Sequence, residues 1–220
     1  AEAVGLPRSK AGSGLGSLFA ERVDKKIEPV VVSSANAPVH ANVLQGKKAD
    51  MWILPVVRHF EMDLGGALTM GLIAHAPGEE FYNVKFVKTF PETGYRGGFT
   101  ILTPQMGRMA TAWERRGERF PVANVLGHHP GFWLGTLNNT PYGDNEYATA
   151  GAFLQEPVRL APSVTWGKDF LVPADAEIII EGEIVPGERI VVNPFGDISG
   201  QYQAQQLAHV MEVTAITHRD

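Results

Sequence analysis

The sequence contains no cysteine. Disulfide scaffolds, thiolate nucleophiles and cysteine-ligated zinc are thereby excluded. No apolar run approaches the roughly 18 to 20 residues that a membrane span needs. The opening, AEAVGLPRSKAGSGLGS, has neither an initiating methionine nor the apolar centre of a secretory signal. These absences predict a cytoplasmic protein with no membrane partner, written from a trimmed start. Basic charge is also scarce: 19 Lys and Arg stand against 24 Asp and Glu, a formal charge of −5. Before position 51, seven basic residues face five acidic ones, near +2, which leaves the remainder near −7. A nucleic-acid partner, which calls for a basic face or stripe, is not expected. There is no internal repeat.

What the chain does have is punctuation. Its 24 glycines and 15 prolines make up about 18% of the residues, against a usual 12% or so. Such density suits short strands joined by turns better than a helical bundle. Residues 1–17 read as a flexible lead, followed by a short helix over Leu18–Lys26 and the apolar run Val30–Val32. Ala67–Ala74 and Phe81–Phe90 read as strands joined by the turn Pro77–Glu80. In the second of these, Tyr82, Val84, Phe86 and Lys88 form one row, read here as core-facing, with Lys88 an unusual ammonium at its end. A third strand spans Gly98–Leu102, and a helix spans Gln105–Arg116, with Thr103 as cap, Pro104 at its first position and Gly117 as its stop. Phe120–Leu126 (strand), Pro130–Thr136 and Asn145–Leu154 (helices) follow. The last third holds strand signals at Val158–Leu160, Phe170–Val172, Ala176–Val185, Arg189–Val192 and His209–Ile216. The sum is an α+β fold: a mostly antiparallel sheet or barrel with a helical insertion between about 104 and 155.

Generic motifs offer little chemistry. GSGLGS at Gly12–Ser17 looks like a phosphate-loop fragment, but no strand precedes it and the lysine is missing. The pair His128-His129 points to opposite faces if extended, so turn-lining competes with metal binding. Two loops say more. Asn193-Pro194-Phe195-Gly196-Asp197 sets a carboxylate on a tight turn, either as a reactive group or as an Asx-type turn former. Gly143-Asp144-Asn145-Glu146 opens a helix, where Glu146 serves either a site or simply the helix dipole.

At these residues the sequence resembles the UbiD family, the prenylated-FMN-dependent decarboxylases of aromatic and α,β-unsaturated acids. The resemblance runs from about Ala37 to Asp220. It is carried by Leu54-Pro55, Ala67–Gly71, Gly117–Val122, Asn145-Glu146-Tyr147, Leu171–Ile178 and Pro194–Asp197, in that order. It implies a flavin-reductase-like split β-barrel over 37–220, with 1–36 as a lead or the tail of a preceding α/β segment. The chain is then expected to be the middle of a longer, homo-oligomeric protein.

Carried over position by position, the resemblance implies a divalent metal, manganese or magnesium, on Asn83 and Glu146, next to a flavin phosphate. Met106 stands where the family has its histidine, and a thioether is a soft ligand for such an ion. Thr69, Met70, Gln105 and Thr136 fall on cofactor-lining positions. The family's catalytic arginine, glutamate and second acid fall on Lys88, Val192 and Asp197. Lys88 keeps the charge but not the planar fork, and a valine cannot donate the proton that the family's glutamate supplies. The resemblance therefore implies a (de)carboxylase of a small carboxylic acid that works through Lys88 and Asp197. The alternative is a non-catalytic subunit or flavin-binding module that has lost its acid–base residues.

Overall fold

The computed structural model describes Gly5 and residues 7–220. The strands, in chain order, are β1 (Val30–Val31), β2 (Asn42–Gln45), β3 (Leu68–Ala74), β4 (Asn83–Thr93), β5 (Arg96–Phe99), β6 (Phe120–Leu126), β7 (Arg159–Ser163), β8 (Gly167–Pro173), β9 (Ile178–Val192), β10 (Phe195–Gly196), β11 (Tyr202–Gln203) and β12 (Gln206–His218). The α-helices are α1 (Ser13–Arg22), α2 (Pro104–Arg115), α3 (Pro130–Thr136) and α4 (Glu146–Leu154). Strands β12, β5, β4, β3, β6 and β9 follow one another in antiparallel register, and β9 pairs back onto β12, closing a barrel. Closure removes the open sheet edges that would otherwise invite association. β2 extends the wall beside β12, and β1, β7 and β8 form a separate sheet. The expected α+β split barrel is the observed fold.

Alternation along the wall strands separates two cores. Inside the barrel, Leu72, Val87, Phe99, Phe120, Ile184 and Met211 pack with Met106 and Met109 of α2. Outside it, Ile73, Val84, Val125 and Ile179 pack against Phe132 of α3, Tyr147 of α4 and Phe170 of β8. α2, α3 and α4 do fall between 104 and 155, but β6, which lies among them, is barrel wall. α3 and α4 approach closely because Gly135 faces the Ala150 backbone, where a Cβ would lie 2.4 Å from Ala150 Cα.

Several boundaries differ from expectation, as with β5 at Arg96–Phe99 and β7 at Arg159–Ser163. The first helix is Ser13–Arg22 rather than Leu18–Lys26, so the GSGLGS stretch forms helix and not a loop. Tertiary contact overrides its glycines: Phe19 packs on Phe153 at 4.9 Å, and Arg22 donates to the Phe153 carbonyl at 2.9 Å. The part of the expected lead at residues 1–4 and 6 lies outside the described residues. β9 is one strand where Pro186-Gly187 suggested two, because pairing with β12 continues through register shifts at His209/Met211 and Val213/Ala215. α2 begins after Thr103 and stops before Gly117 at φ +66, as read, but the Thr103 hydroxyl does not cap it. No helix among the described residues is long and apolar enough to cross a membrane.

Candidate active site

β4 carries the site along its length. Its residues alternate between the two faces, so Asn83, Lys85 and Val87 share one side, and Val84, Phe86 and Lys88 the other. This corrects the reading of Lys88 as the ammonium on a buried row. The row of Phe86 and Lys88 opens toward solvent, whereas Lys85, on the row that looked polar, is buried.

At the first end of β4, Lys85 and Glu146 form an ion pair with side-chain exposures of 7% and 0%. Lys85 Nζ also donates to the carbonyls of Thr136 at 3.1 Å and Asn138 at 2.7 Å. Glu146 reaches its place because Asn145 caps α4, its Oδ1 accepting from Tyr147 N at 3.2 Å. From there one carboxylate oxygen accepts from Val84 N at 2.5 Å and the other from the Thr140 hydroxyl at 3.2 Å. Glu146 is thus more than a first-turn dipole residue. Burial pushes its carboxyl up, while the Lys85 ammonium, the Val84 amide and the Thr140 hydroxyl pull it back down. Asn83 Nδ2 donates to Gln105 Oε1 at 2.7 Å, and Gln105 in turn donates to the Thr140 carbonyl. Asn83 Oδ1 and Thr103 Oγ1 are buried without a partner. The Thr136 hydroxyl donates back to Trp133 O at 3.3 Å, so its carbonyl, and not its hydroxyl, enters this cluster.

At the other end, Lys88 Nζ lies 3.7 Å from Asp197 Oδ1 and 5.4 Å from the centre of the Phe195 ring. The pair is half-buried, with side-chain exposures of 26% and 32%. The Gln203 amide, the Ile198 N–H and the Lys88 ammonium hold the Asp197 carboxyl below the usual range. Thr69 pairs with Lys88 across the ladder and is exposed, so the two share this end. Met70 is the next residue of β3, paired with Val87. Val192, at the expected glutamate position, is buried with Phe90, Phe195 and Ala208. Phe60, Met62, Leu64 and Ile198 leave an apolar rim exposed around the Asp197 turn.

The reading therefore splits into two groups, Asn83, Gln105, Thr136 and Glu146 at one end and Thr69, Lys88 and Asp197 at the other. Two functional-looking groups had no sequence signal. Lys85 and Glu146 are 61 positions apart, a separation that no motif spans. Asp63 is buried and accepts from His59 N, Phe60 N and Gly196 N, tying the 57–64 loop to the Asp197 turn. Burial opposes its ionisation, but those three amides hold its carboxyl below the usual range. His128 and His129 line a turn: His129 Nδ1 caps α3 at Gly131 N, and His128 stacks on Phe132 at 4.1 Å.

Two absent groups can be tested against these residues. A divalent ion does not fit. Both Glu146 oxygens are already committed, one to an ammonium, and Met106 is packed in the barrel core. Among the described residues no three His, Cys, Asp or Glu side chains gather as a metal site. A flavin nucleotide does fit. The unpartnered Thr103 hydroxyl sits at the start of the twelve-residue α2, whose N-terminus lacks a side-chain cap and so favours a phosphate. The orphaned Asn83 Oδ1 beside Gln105 awaits a donor such as a sugar-chain hydroxyl.

A sequence profile for UbiD, described as the 3-octaprenyl-4-hydroxybenzoate carboxy-lyase Rift-related domain, matches residues 30–220. Among solved structures, an evolved dimeric form of the UbiD-class enzyme HmfF from Pelotomaculum thermopropionicum, in complex with prenylated FMN, is 32% identical. The TM-score is 0.91, covering 100% of this chain and 50% of that one. Vanillic acid decarboxylase from Sedimentibacter hydroxybenzoicus, in its closed form, is 27% identical with a TM-score of 0.92, covering 100% and 48%. The 3,4-dihydroxybenzoic acid decarboxylase from Enterobacter cloacae is 25% identical with a TM-score of 0.85, covering 99% and 47%. The chain thus spans about half the length of these relatives.

Proposed function

This chain belongs to the UbiD family, and from that premise we propose that it is the flavin-holding part of a prenylated-FMN-dependent decarboxylase or carboxylase of aromatic or α,β-unsaturated acids. The observation that carries the reading is the two-ended arrangement on β4. Asn83, the first residue of β4, and Lys88 are five residues apart, roughly 17 Å at strand rise, and face opposite sides, so a ligand that meets both wraps around the start of the strand. One end offers orphaned polar atoms and an uncapped helix start, and the other a cation, a carboxylate and an apolar rim. A ligand with a phosphate at one end and a conjugated ring at the other suits that pattern. Asn83, Thr103 and Gln105 hold its phosphate and sugar chain. Thr69 and the Met70 strand border its ring, and Glu146 and Thr136 keep Lys85 in place beneath.

Prenylated FMN, when bound, supplies an electron sink for the pair released as CO2 departs. The protein's own part is positioning and proton handling. Lys88 draws in the substrate carboxylate by charge, without the bidentate geometry of an arginine. Asp197 is held ionised, so it takes up a proton across its open face and returns it to the carbon that loses CO2. In the reverse direction it accepts that proton. The rim of Phe60, Met62, Leu64 and Ile198 gives an apolar boundary for a conjugated acid. The dimeric Pelotomaculum relative supports a homo-oligomer.

The test is to load the protein with prenylated FMN and to measure flavin absorbance after gel filtration, with CO2 release or isotope exchange over a panel of aromatic and acrylic acids. Retained flavin with turnover is the expected result. Neither retention nor turnover would sink the proposal. The burial of Val192 at the expected acid position favours a second reading, a flavin-binding subunit without chemistry of its own. Retained flavin without turnover, with activity appearing in Val192→Glu, would select it.

A further inference from the structure

We propose that the Lys85 ammonium is the resident cation of the Glu146 site, so that this protein holds its ligand without a divalent metal. Lys85 Nζ meets three oxygens, from the Glu146 carboxylate and the carbonyls of Thr136 and Asn138. This is the all-oxygen surrounding that a hard cation seeks, and an ammonium has three donors with which to fill it. The side chain is 7% exposed and arises from β4 itself, so the charge cannot leave by dissociation. A divalent ion on Glu146 would lie against this ammonium, with the second carboxylate oxygen already engaged by the Val84 amide. It would also lack a third ligand, since Met106 is packed among the barrel core residues.

The tethered cation has a structural role as well. It fastens β4, the end of α3, the segment at Asn138 and the start of α4 to one point. Those are the elements that carry Asn83, Thr136 and Glu146, so the site is set before any ligand arrives. The inference does not depend on the flavin reading, because metal content and unfolding can both be measured on the unloaded protein.

The natural chain, purified without chelator, should contain only substoichiometric manganese, magnesium, zinc and iron by plasma mass spectrometry. Its unfolding midpoint should not move with EDTA or with millimolar manganese chloride. Lys85→Met should lower the midpoint by about 10 °C or more, because Glu146 is left buried and unpaired. In Lys85→Ala the vacated cage should accept manganese, raising the midpoint of the variant while leaving the natural chain unmoved. One equivalent of divalent metal retained through dialysis, or a lower midpoint in EDTA, would overturn the proposal. So would a folded Lys85→Ala that ignores manganese. Should the single variants fail to fold, the metal content and EDTA response of the natural chain decide the question. Lys85→Met/Glu146→Leu, which removes both charges and is expected to fold, should then show no response to manganese.

Discussion

Two lysines stand three residues apart on β4, each opposite a carboxylate brought from a distant part of the chain. Lys85 with Glu146 is sealed at 7% and 0% exposure, and Lys88 with Asp197 stays open at 26% and 32%. The chemical pair is the same and the physics is not. In the sealed pair each charge depends on the other and on surrounding dipoles, because water cannot replace either partner. In the open pair water screens the attraction, so each group remains available to a ligand. Strand alternation turns the two lysines to opposite faces. One pair can therefore hold the architecture while the other stays open to solvent.

The sharpest way to break that contrast is to remove one partner from each pair. Glu146→Leu leaves Lys85 buried without its counter-charge and should cost about 3–5 kcal/mol of stability, read from urea unfolding. An effect below about 1 kcal/mol would mean that the first end is as wet as the second. Asp197→Asn should show the opposite profile. We expect CO2 release or exchange by the flavin-loaded protein to fall by roughly 10²- to 10⁴-fold, with the urea midpoint almost unmoved.

His128 sharpens the comparison as a half-buried titratable group with no carboxylate partner. Burial, helped by His129 and Arg219, pushes it down to about 4. The unfolded chain therefore binds a proton near pH 6.5 that the folded chain refuses. Stability from the neutral imidazole is complete above about pH 6.5 and is lost as pH falls toward 4, a change of up to about 3 kcal/mol. His128→Phe should flatten that acid limb in a series of urea melts between pH 4 and 7, and an unchanged slope would contradict the burial argument. The smallest effect belongs to Lys88→Ala. It should change stability by less than about 1 kcal/mol, more at low salt than at high, while weakening binding of carboxylate ligands measured by titration calorimetry.

Much of this fold was legible in the sequence, since period-two alternation and Gly/Pro punctuation mark the barrel strands and Pro104 and Gly117 frame α2. Glu146 and Asp197 were legible too, because each sits on a turn with its own local signal. Lys85 was not. Its row, Asn83–Lys85–Val87–Thr89, carries the polar residues a solvent face would show, and only barrel closure around α2, with Glu146 arriving from 61 positions away, makes it an interior. Lys88 failed in the mirror sense, because its apolar neighbours suggested a core where the wall in fact opens. Whether a strand face is covered depends on long-range packing, which alternation alone does not report. The continuous β9 makes the same point, because its Pro-Gly step is tolerated only through the register shifts in its pairing with β12.

Closure of the barrel rests on β12, which pairs with β9, β5 and β2. During translation, then, none of the wall can seal until residues 206–218 have cleared the ribosome. Until that moment β5 and β9 present open edges, and aggregation or chaperone capture competes with closure. The timing of synthesis at β12 thus becomes part of the physical chemistry of this protein, along with the charges on β4.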